Sequence, residues 1–102
     1  MGIRVALVSC VKSKQDSPAP AGDLYTSPLF RSFRRYAEAN ADVWYVLSAE
    51  YGLLHPDQIV APYERTLNAM RKSDRLAWAR RVQKQIMQVL PPDAEVIVLA
   101  GL

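Results

Sequence analysis

Three short apolar runs, separated by two stretches of helical periodicity, constrain what this chain can fold into more than any other feature. The runs cover residues 3–9, 43–47 and 96–100. Each has the length and β-branched composition of a strand buried on both faces. Strands that alternate with helices predict a parallel sheet with right-handed crossovers. We therefore expect an α/β fold, with a short parallel sheet in a three-layer α/β/α arrangement.

Both helical stretches carry start signals and amphipathic patterns. Ser27 followed by Pro28 is typical of an N-cap and a first helical residue. The second helix is predicted from Ser73 to just before Pro91. A spacing of about 100° per residue gives each helix one apolar face. These faces consist of Leu29, Phe30, Phe33, Tyr36 and Ala37 in the first helix and of Trp78, Val82, Ile86, Val89 and Leu90 in the second.

The opposite faces of the two helices are basic. A basic face suits nucleic acid best when aromatic side chains alternate with the charges, and no such aromatics are present here. The alternative is a solvated face, and on the first helix Glu38 lies within ion-pairing range of two arginines. The basic residues are Arg31, Arg34 and Arg35 in the first helix and Arg80, Arg81 and Lys84 in the second.

Composition narrows the class of protein. The 102 residues, half of them hydrophobic, suit a single domain over residues 1–102. No apolar run approaches the roughly 20 residues of a membrane span. The single cysteine and single histidine exclude a disulfide framework and a cysteine-based zinc site. We expect a cytoplasmic protein without a metal or cofactor, and the net charge of +3 permits an anionic ligand.

The third apolar run lies at the end of the chain, where a covering helix is expected. A parallel sheet of three strands and two helices is thin, because such sheets need both faces buried. Two explanations are open. Either the chain is the N-terminal portion of a longer domain and is incomplete at its C-terminus, or another copy completes it in a homo-oligomer.

Residues 10–26 and 48–72 form two connections longer than usual, and long ordered connections are commonly functional. Both follow the carboxyl ends of predicted strands, the edge at which open α/β sheets bind their ligands. The sequence therefore predicts that the functional residues lie in these two connections.

The first connection begins with Cys10 and two lysines, Lys12 and Lys14. Nearby ammonium groups favour the thiolate form of a cysteine, which is its nucleophilic form. The same lysines, together with Ser9 and Ser13, could instead hold a phosphate or carboxylate. A small buried cysteine beside solvated lysines is the structural alternative.

Hydroxyl groups precede the first helix. Ser27 is most simply a helix cap, although a helix start also binds anions, to which Tyr25 could contribute its hydroxyl. Tyr63, in a predicted turn of the second connection, either packs that segment down or stacks on a ring.

The second connection holds the acidic candidates. Glu50 and Asp57 are placed to act as general base or to orient a ligand. His55 is either a surface residue or a catalytic one. Tyr51 is a candidate ligand contact, and Gly52 permits a positive φ or a close approach of another group.

Taken together, these residues resemble an uncharacterised bacterial family of unknown function over essentially the whole chain. The resemblance implies that relatives continue for some tens of residues beyond residue 102. The motifs that carry it are Ser9-Cys10-x-Lys12-x-Lys14, Asp23-Leu24-Tyr25-Thr26-Ser27-x-Leu29-Phe30 and Ser48-Ala49-x-Tyr51-Gly52-Leu53-Leu54-x-Pro56-Asp57.

Two further families share parts of this pattern. The stretch from Tyr51 to Tyr63 is similar to a motif of the YaaA peroxide-stress family, which is associated with DNA binding and protection against oxidative DNA damage. Cys10 and Lys14 match the spacing of a motif in the lysine-transferring domain of archaeosine synthase, a tRNA-modifying enzyme. This chain departs from the motif at two places: it has Gln15-Asp16 where the motif has Pro-Tyr, and Phe30 where the motif has a histidine. Both resemblances imply a uracil-DNA-glycosylase-like α/β fold.

Two functional hypotheses follow. In the first, the chain acts on or binds a nucleotide, nucleobase or nucleic acid, in nucleic-acid modification or the response to DNA damage. Cys10, Glu50 and Asp57 would then do the chemistry. In the second, it is a non-catalytic nucleic-acid or anion-binding module that assembles as an oligomer. The ligand contacts are the same in both hypotheses: Ser9, Lys12, Lys14, Tyr25, Ser27, Tyr51, Gly52 and Tyr63.

Overall fold

Strands and helices alternate along the chain, with smaller elements inserted in the two long connections. The computed structural model describes residues 2–10 and 14–100. In chain order the elements are β1 (Arg4–Ser9), β2 (Ala19–Pro20), α1 (Ala21–Leu24), α2 (Pro28–Asn40), β3 (Val43–Ser48), β4 (Gly52–Leu54), β5 (Ile59–Val60), a 3₁₀ turn (Leu67–Ala69), α3 (Lys72–Val89) and β6 (Glu95–Leu99).

The main sheet has four strands in the order β4-β3-β1-β6 and is mostly parallel. β1 occupies a central position and pairs in parallel with both β3 and β6, so that Val5 lies beside Val43 on one side and Val96 on the other. The three strands and two helices predicted from periodicity are confirmed. The protein is thus a mixed α/β fold.

The prediction of a three-stranded, wholly parallel sheet was wrong in one respect, since the sheet has a fourth strand, β4, which is antiparallel. Within the second connection, the chain turns back after β3 and pairs antiparallel with it, so that Leu54 lies beside Val46. Gly52 makes the turn possible, with a φ of +77° that favours glycine. A run of three residues is too short for periodicity to identify it as a strand.

The two long connections are also joined to each other. β2 in the first connection pairs antiparallel with β5 in the second, with Ala19 beside Val60. The backbone N–H groups of Ala21 and Gly22 extend this pairing by donating to the carbonyl groups of Gln58 and Pro56, both at 2.8 Å. The segments predicted as loops therefore hold each other in place.

The hydrophobic core lies between α2 and one face of the sheet. Phe30 and Ala37 of α2 pack in one buried cluster with residues of β1, β3 and β4. Two members of the predicted apolar face differ from expectation, since Leu29 is 45% exposed and Tyr36 is 50% exposed. Only the centre of that face meets the sheet. The sheet residues of the cluster are Ala6, Val8, Val46 and Leu54.

α3 packs against β4 and the end of β3. It begins at Lys72, one residue before the predicted start. The indole Nε1–H of Trp78 donates to the carbonyl of Ser48 at 2.8 Å, and the Gln85 side chain accepts from the N–H of Leu53 at 3.0 Å. Val82 is buried, but Val89 is exposed, so the apolar face predicted for this helix is covered only in part.

β6 is an edge strand with exposed apolar side chains. It pairs with β1 alone in the sheet order, and Val96 and Val98 are 45% and 61% exposed. In the part of the chain that the structure describes, no helix combines the length and apolar character needed to cross a membrane.

Candidate functional site

Lys14 and three tyrosines, Tyr25, Tyr51 and Tyr63, meet beside the carboxyl ends of β1 and β3, and we call them the tyrosine–lysine cluster. The hydroxyl oxygens of Tyr25 and Tyr63 lie 2.5 Å apart and share a hydrogen bond. The ring of Tyr51 meets that of Tyr63 edge-on, with centroids 5.5 Å apart. The cluster thus joins residues from both long connections.

The Lys14 ammonium lies against the aromatic rings. Its Nζ is 4.4 Å from the centroid of the Tyr63 ring and 5.7 Å from that of Tyr25, within the range of cation–π attraction. A backbone bridge between Lys14 and Tyr25 holds the lysine in register. Partial burial lowers the pKa of Lys14, an effect opposed by the charges of Cys10 and Glu64.

The two hydrogen-bonded tyrosines are held in their neutral form. Burial raises the pKa of Tyr25 to about 12, although its hydrogen bonds to Tyr63 and Ser48 act in the opposite direction. Burial, followed by the charges of Cys10 and Tyr25, also raises the pKa of Tyr63. At neutral pH both hydroxyls therefore donate and accept hydrogen bonds and do not act as bases.

Ser48 belongs to one of the sequence motifs but had no predicted role. In the structure it holds the turn that carries Tyr51. It is fully buried at the end of β3, and its Oγ accepts hydrogen bonds from the N–H groups of Glu50 and Tyr51 at 3.2 and 3.0 Å. This hydroxyl fixes the turn that carries Tyr51. Its signal in the sequence was a small polar residue directly after an apolar strand.

Cys10 lies beside the cluster. Its backbone N–H donates to the carbonyl of Leu47 at 2.9 Å, which extends the pairing of β1 with β3. Its side chain is a free thiol, partly buried against the core. The core cluster against which it packs includes Tyr25.

Two other predicted ligand residues, Ser9 and Ser27, lie at the ends of elements. Ser9 is the last residue of β1 and lies beside Leu47 of β3. Ser27 caps α2, its Oγ accepting from the N–H groups of Leu29 and Phe30 at 3.1 and 3.3 Å, which is the simpler of its two interpretations. Lys12 lies outside the described residues.

The two carboxylates predicted to do chemistry are not members of the cluster. Glu50 is exposed, and its backbone carbonyl accepts from Arg81 at 3.4 Å. Asp57 lines a different cavity of about 260 Å³, together with Trp44, Tyr45 and His55. There its N–H donates to Nδ1 of the exposed His55 at 3.1 Å, which favours the interpretation of His55 as a surface residue.

Glu64 is a carboxylate whose charge raises the pKa of Lys14, and the sequence patterns indicated no role for it. It follows Tyr63 directly, so proximity in the chain to a candidate tyrosine was its only signal. Within residues 2–10 and 14–100, no group of three or more His, Cys, Asp or Glu side chains is arranged to hold a metal ion.

Fold and site together define a mixed α/β domain with aromatic and basic groups gathered beside the carboxyl edge of a mostly parallel sheet. By comparison with known proteins, the chain belongs to a family of unknown function (DUF6884), whose model matches residues 5–102. It is also 36% identical over 64 residues to the uncharacterised protein YfjM of Bacillus subtilis (strain 168).

That match covers 57% of this chain and 43% of YfjM, so less than half of the relative's length corresponds to residues of this protein. No solved structure matches the chain significantly. The resemblance to an uncharacterised family, expected from the three sequence motifs, is confirmed.

Proposed function

We propose that the tyrosine–lysine cluster is the ligand site of a protein that binds or modifies a nucleotide, nucleobase or nucleic acid. The observation that carries the proposal is the Lys14 ammonium held 4.4 Å from the centre of the Tyr63 ring. A cation suited to phosphate and rings suited to a base are thereby in one place. The cluster also lies at the sheet edge where α/β proteins commonly bind such ligands.

The electrostatics of Lys14 support an anionic ligand. Burial lowers the pKa of its ammonium, so the charged form is less well solvated than it would be in water. A phosphate placed beside it restores that solvation through a charge-assisted hydrogen bond. Binding should therefore raise the pKa of Lys14 and should weaken as pH rises above the pKa of Lys14 in the free protein.

The aromatic part of the ligand has two partners in this site. Tyr51 is partly exposed and meets Tyr63 edge-on, so a planar base can stack on either ring. Base–aromatic stacking contributes roughly 1–3 kcal/mol per base. The neutral hydroxyl of Tyr63, which the buried Tyr25 holds by a hydrogen bond, is the group that would bond the base edge or sugar.

The test is mononucleotide binding to Lys14→Gln, measured by calorimetry. Loss of one charge-assisted hydrogen bond, worth roughly 1.5–3 kcal/mol, should weaken binding about 10- to 100-fold. Lys72→Gln is the matched control, because Lys72 is exposed in the first turn of α3. If the Lys14→Gln variant and the wild-type protein bound the mononucleotide with equal affinity, the proposal would be refuted.

A non-catalytic binding module is the second candidate, and one observation favours it. Glu50 is exposed to solvent and Asp57 lines a different cavity, together with Trp44 and His55. Cys10 then remains as the nucleophile of any chemical step. Cys10→Ser distinguishes the two functions: a binding module keeps its affinity and loses nothing else, whereas an enzyme loses turnover of the nucleotide it binds.

The finer fold assignment is also a proposal. We infer a three-layer α/β/α arrangement of the uracil-DNA-glycosylase type, because the steps from β1 to β3 and from β3 to β6 run in opposite directions across the sheet. Right-handed crossovers then put α2 and α3 on opposite faces. A crystal structure with both helices on one face would contradict this inference.

The setting of the protein is a proposal that draws on the motifs shared with the YaaA family and with archaeosine synthase. We infer a cytoplasmic protein of nucleic-acid metabolism or of the stress response, assembled as a homo-oligomer through its exposed edge strand. Fractionation of cells that express the tagged chain tests the location.

A further inference from the structure

The outward side of α3 is strongly basic. The helix contains five basic residues and one acidic residue, and its central positions Arg80, Arg81 and Lys84 are all exposed. We call these three residues the basic face. Arg80 and Lys84 lie one turn apart, about 6 Å along the helix axis. Positive charges at this spacing suit a polyanion, whose negative charges also recur at regular intervals.

The basic face carries charge that the protein does not neutralise by ion pairing. Across residues 2–10 and 14–100, the salt bridges of arginine side chains with carboxylates are those of Arg4 and Arg34, and Lys84 forms none. Arg34 on α2 is the contrasting case, since it contacts both Asp23 and Glu38. The outer side of α3 therefore carries three exposed cations that form no salt bridge within the described residues, a property that Arg31 and Arg35 of α2 share.

This surface is connected directly to the tyrosine–lysine cluster. Trp78 donates to the carbonyl of Ser48, the residue that supports the turn carrying Tyr51. One turn of α3 further on, Arg81 donates to the carbonyl of Glu50 within the same turn. A polyanion that crosses the basic face therefore reaches the edge of the cluster.

We propose that the basic face binds the phosphate backbone of a single-stranded nucleic acid, one base of which occupies the tyrosine–lysine cluster. The inference rests on the proposed function and names its ligand as a polynucleotide instead of a free nucleotide. A single strand is the form whose bases are free to stack on tyrosine rings.

A membrane surface is the other common partner of a basic helix, and the packing of α3 argues against it. Such a helix must insert an apolar stripe opposite its charges. In α3 that stripe is engaged within the protein, because Val82 is buried and Trp78 and Ile86 are partly buried. The charges therefore remain available, while the middle of the apolar face is occupied within the protein and its end at Val89 is exposed.

The experiment measures the affinity of fluorescent single-stranded oligonucleotides of 4 and 12 nucleotides against that of a mononucleotide. In the original protein the 12-mer should bind at least about tenfold more tightly than the mononucleotide, with a strong dependence on salt. Arg80→Gln with Lys84→Gln should lose most of that gain. Its slope of log affinity against log salt should fall by about 1.4, from roughly 0.7 per lost phosphate contact.

The matched control is Arg31→Gln with Arg35→Gln on α2. It also removes two exposed cations spaced four residues apart and leaves the same net charge. The control should bind the 12-mer like the original protein, and circular dichroism verifies that both variants are folded. Equal weakening in the two variants would show a general charge effect and overturn the inference.

The remaining outcomes separate the inference from the proposed function. If the mononucleotide binds through Lys14 but the 12-mer binds no more tightly, the inference fails and the proposed function stands. If the 12-mer depends on Arg80 and Lys84 but not on Lys14, the proposed function fails and the basic face remains a nucleic-acid site. Charge-dependent binding to phosphatidylserine vesicles without binding to the 12-mer also overturns the inference.

Discussion

Two tyrosine hydroxyls that share a hydrogen bond, on Tyr25 and Tyr63, control how the protein responds to alkaline pH. The folded state holds the pKa of Tyr25 at about 12, above the value near 10 of an unfolded chain. Between these values the folded state binds more protons than the unfolded state, so stability must fall as pH rises. The raised pKa of Tyr63 has the same sign.

We therefore predict that the free energy of unfolding decreases above pH 10, by on the order of 2–3 kcal/mol from Tyr25 alone once the pH exceeds 12. The lowered pKa of Lys14 has the opposite sign and offsets part of this loss. Urea unfolding of Tyr25→Phe at pH 8 and pH 11 measures the effect. A pH dependence that is unchanged in the phenylalanine variant would contradict the prediction.

Cys10 is the residue on which a chemical step depends. Its side chain is partly buried against the core, and the Lys14 ammonium lies over the rings of Tyr63 and Tyr25. We expect iodoacetamide to modify the native protein slowly at pH 7 and the unfolded protein quickly.

The control for this experiment is Lys14→Gln, which removes a charge without touching the sulfur. A buried structural thiol reacts equally slowly in both proteins. Rapid alkylation that slows in Lys14→Gln, and that a mononucleotide blocks, would instead support the enzyme hypothesis.

At the scale of the element, the start of α2 allows a test of whether the Ser27 hydroxyl has a structural or a ligand-binding role. Ser27→Ala removes the acceptor for two N–H groups in the first helical turn and should lower stability by about 1 kcal/mol. Because that hydroxyl already bonds the helix, mononucleotide affinity should not change. Ser27→Asn should restore stability, as asparagine also caps helices. If a folded Ser27→Ala protein bound the mononucleotide more weakly, Ser27 would be a ligand contact and the prediction would be wrong.

The turn into β4 has an equally specific requirement. Gly52 has a φ of +77°, and a Cβ atom at this position would collide with the side-chain amide of Gln85. Gly52→Ala should lower the free energy of unfolding by about 1–3 kcal/mol, measured by urea unfolding. In Gln85→Ala the collision is absent, so the same glycine substitution should cost less. An equal cost in both backgrounds would leave backbone conformation as the sole cause.

At the scale of the whole molecule, the exposed edge of the sheet predicts self-association. Within residues 2–10 and 14–100, β6 pairs with β1 alone, and Val96 and Val98 are 45% and 61% exposed at this open edge. Such an edge is a template for pairing with another chain. We expect light scattering after size exclusion to show a dimer or larger species, and Val98→Lys to reduce its mass. A cooperatively unfolding monomer would contradict this prediction.

The extent to which sequence predicts this structure depends on the length of each pattern. The helix after Ser27 was predictable because periodicity and capping agree over many residues, and the strand over residues 43–47 because its apolar run has the length and composition of a buried strand. β4 and the β2–β5 pair were not, since runs of two or three residues have no period.

The same limit applies to the site. Lys14, Tyr25 and Tyr63 were identified as candidates by residue type, but their contacts depend on the pairing of two distant connections. Asp57 shows the converse. It belongs to the same motif as Tyr51, yet it lines a cavity with Trp44, because β4 carries the chain away from the sheet edge at which Tyr51 lies.

The position of β1 at the centre of the sheet has a consequence for how the protein is made. One neighbour of this strand, β3, follows after about 40 residues, but the other is β6, and Arg4 reaches its partner Glu95 across 91 positions of sequence. During synthesis β1 therefore keeps the edge that pairs with β6 open until nearly all the described chain has left the ribosome. Folding should be slow for a domain of this size, and the nascent chain should be a substrate for chaperones that shield unpaired strands.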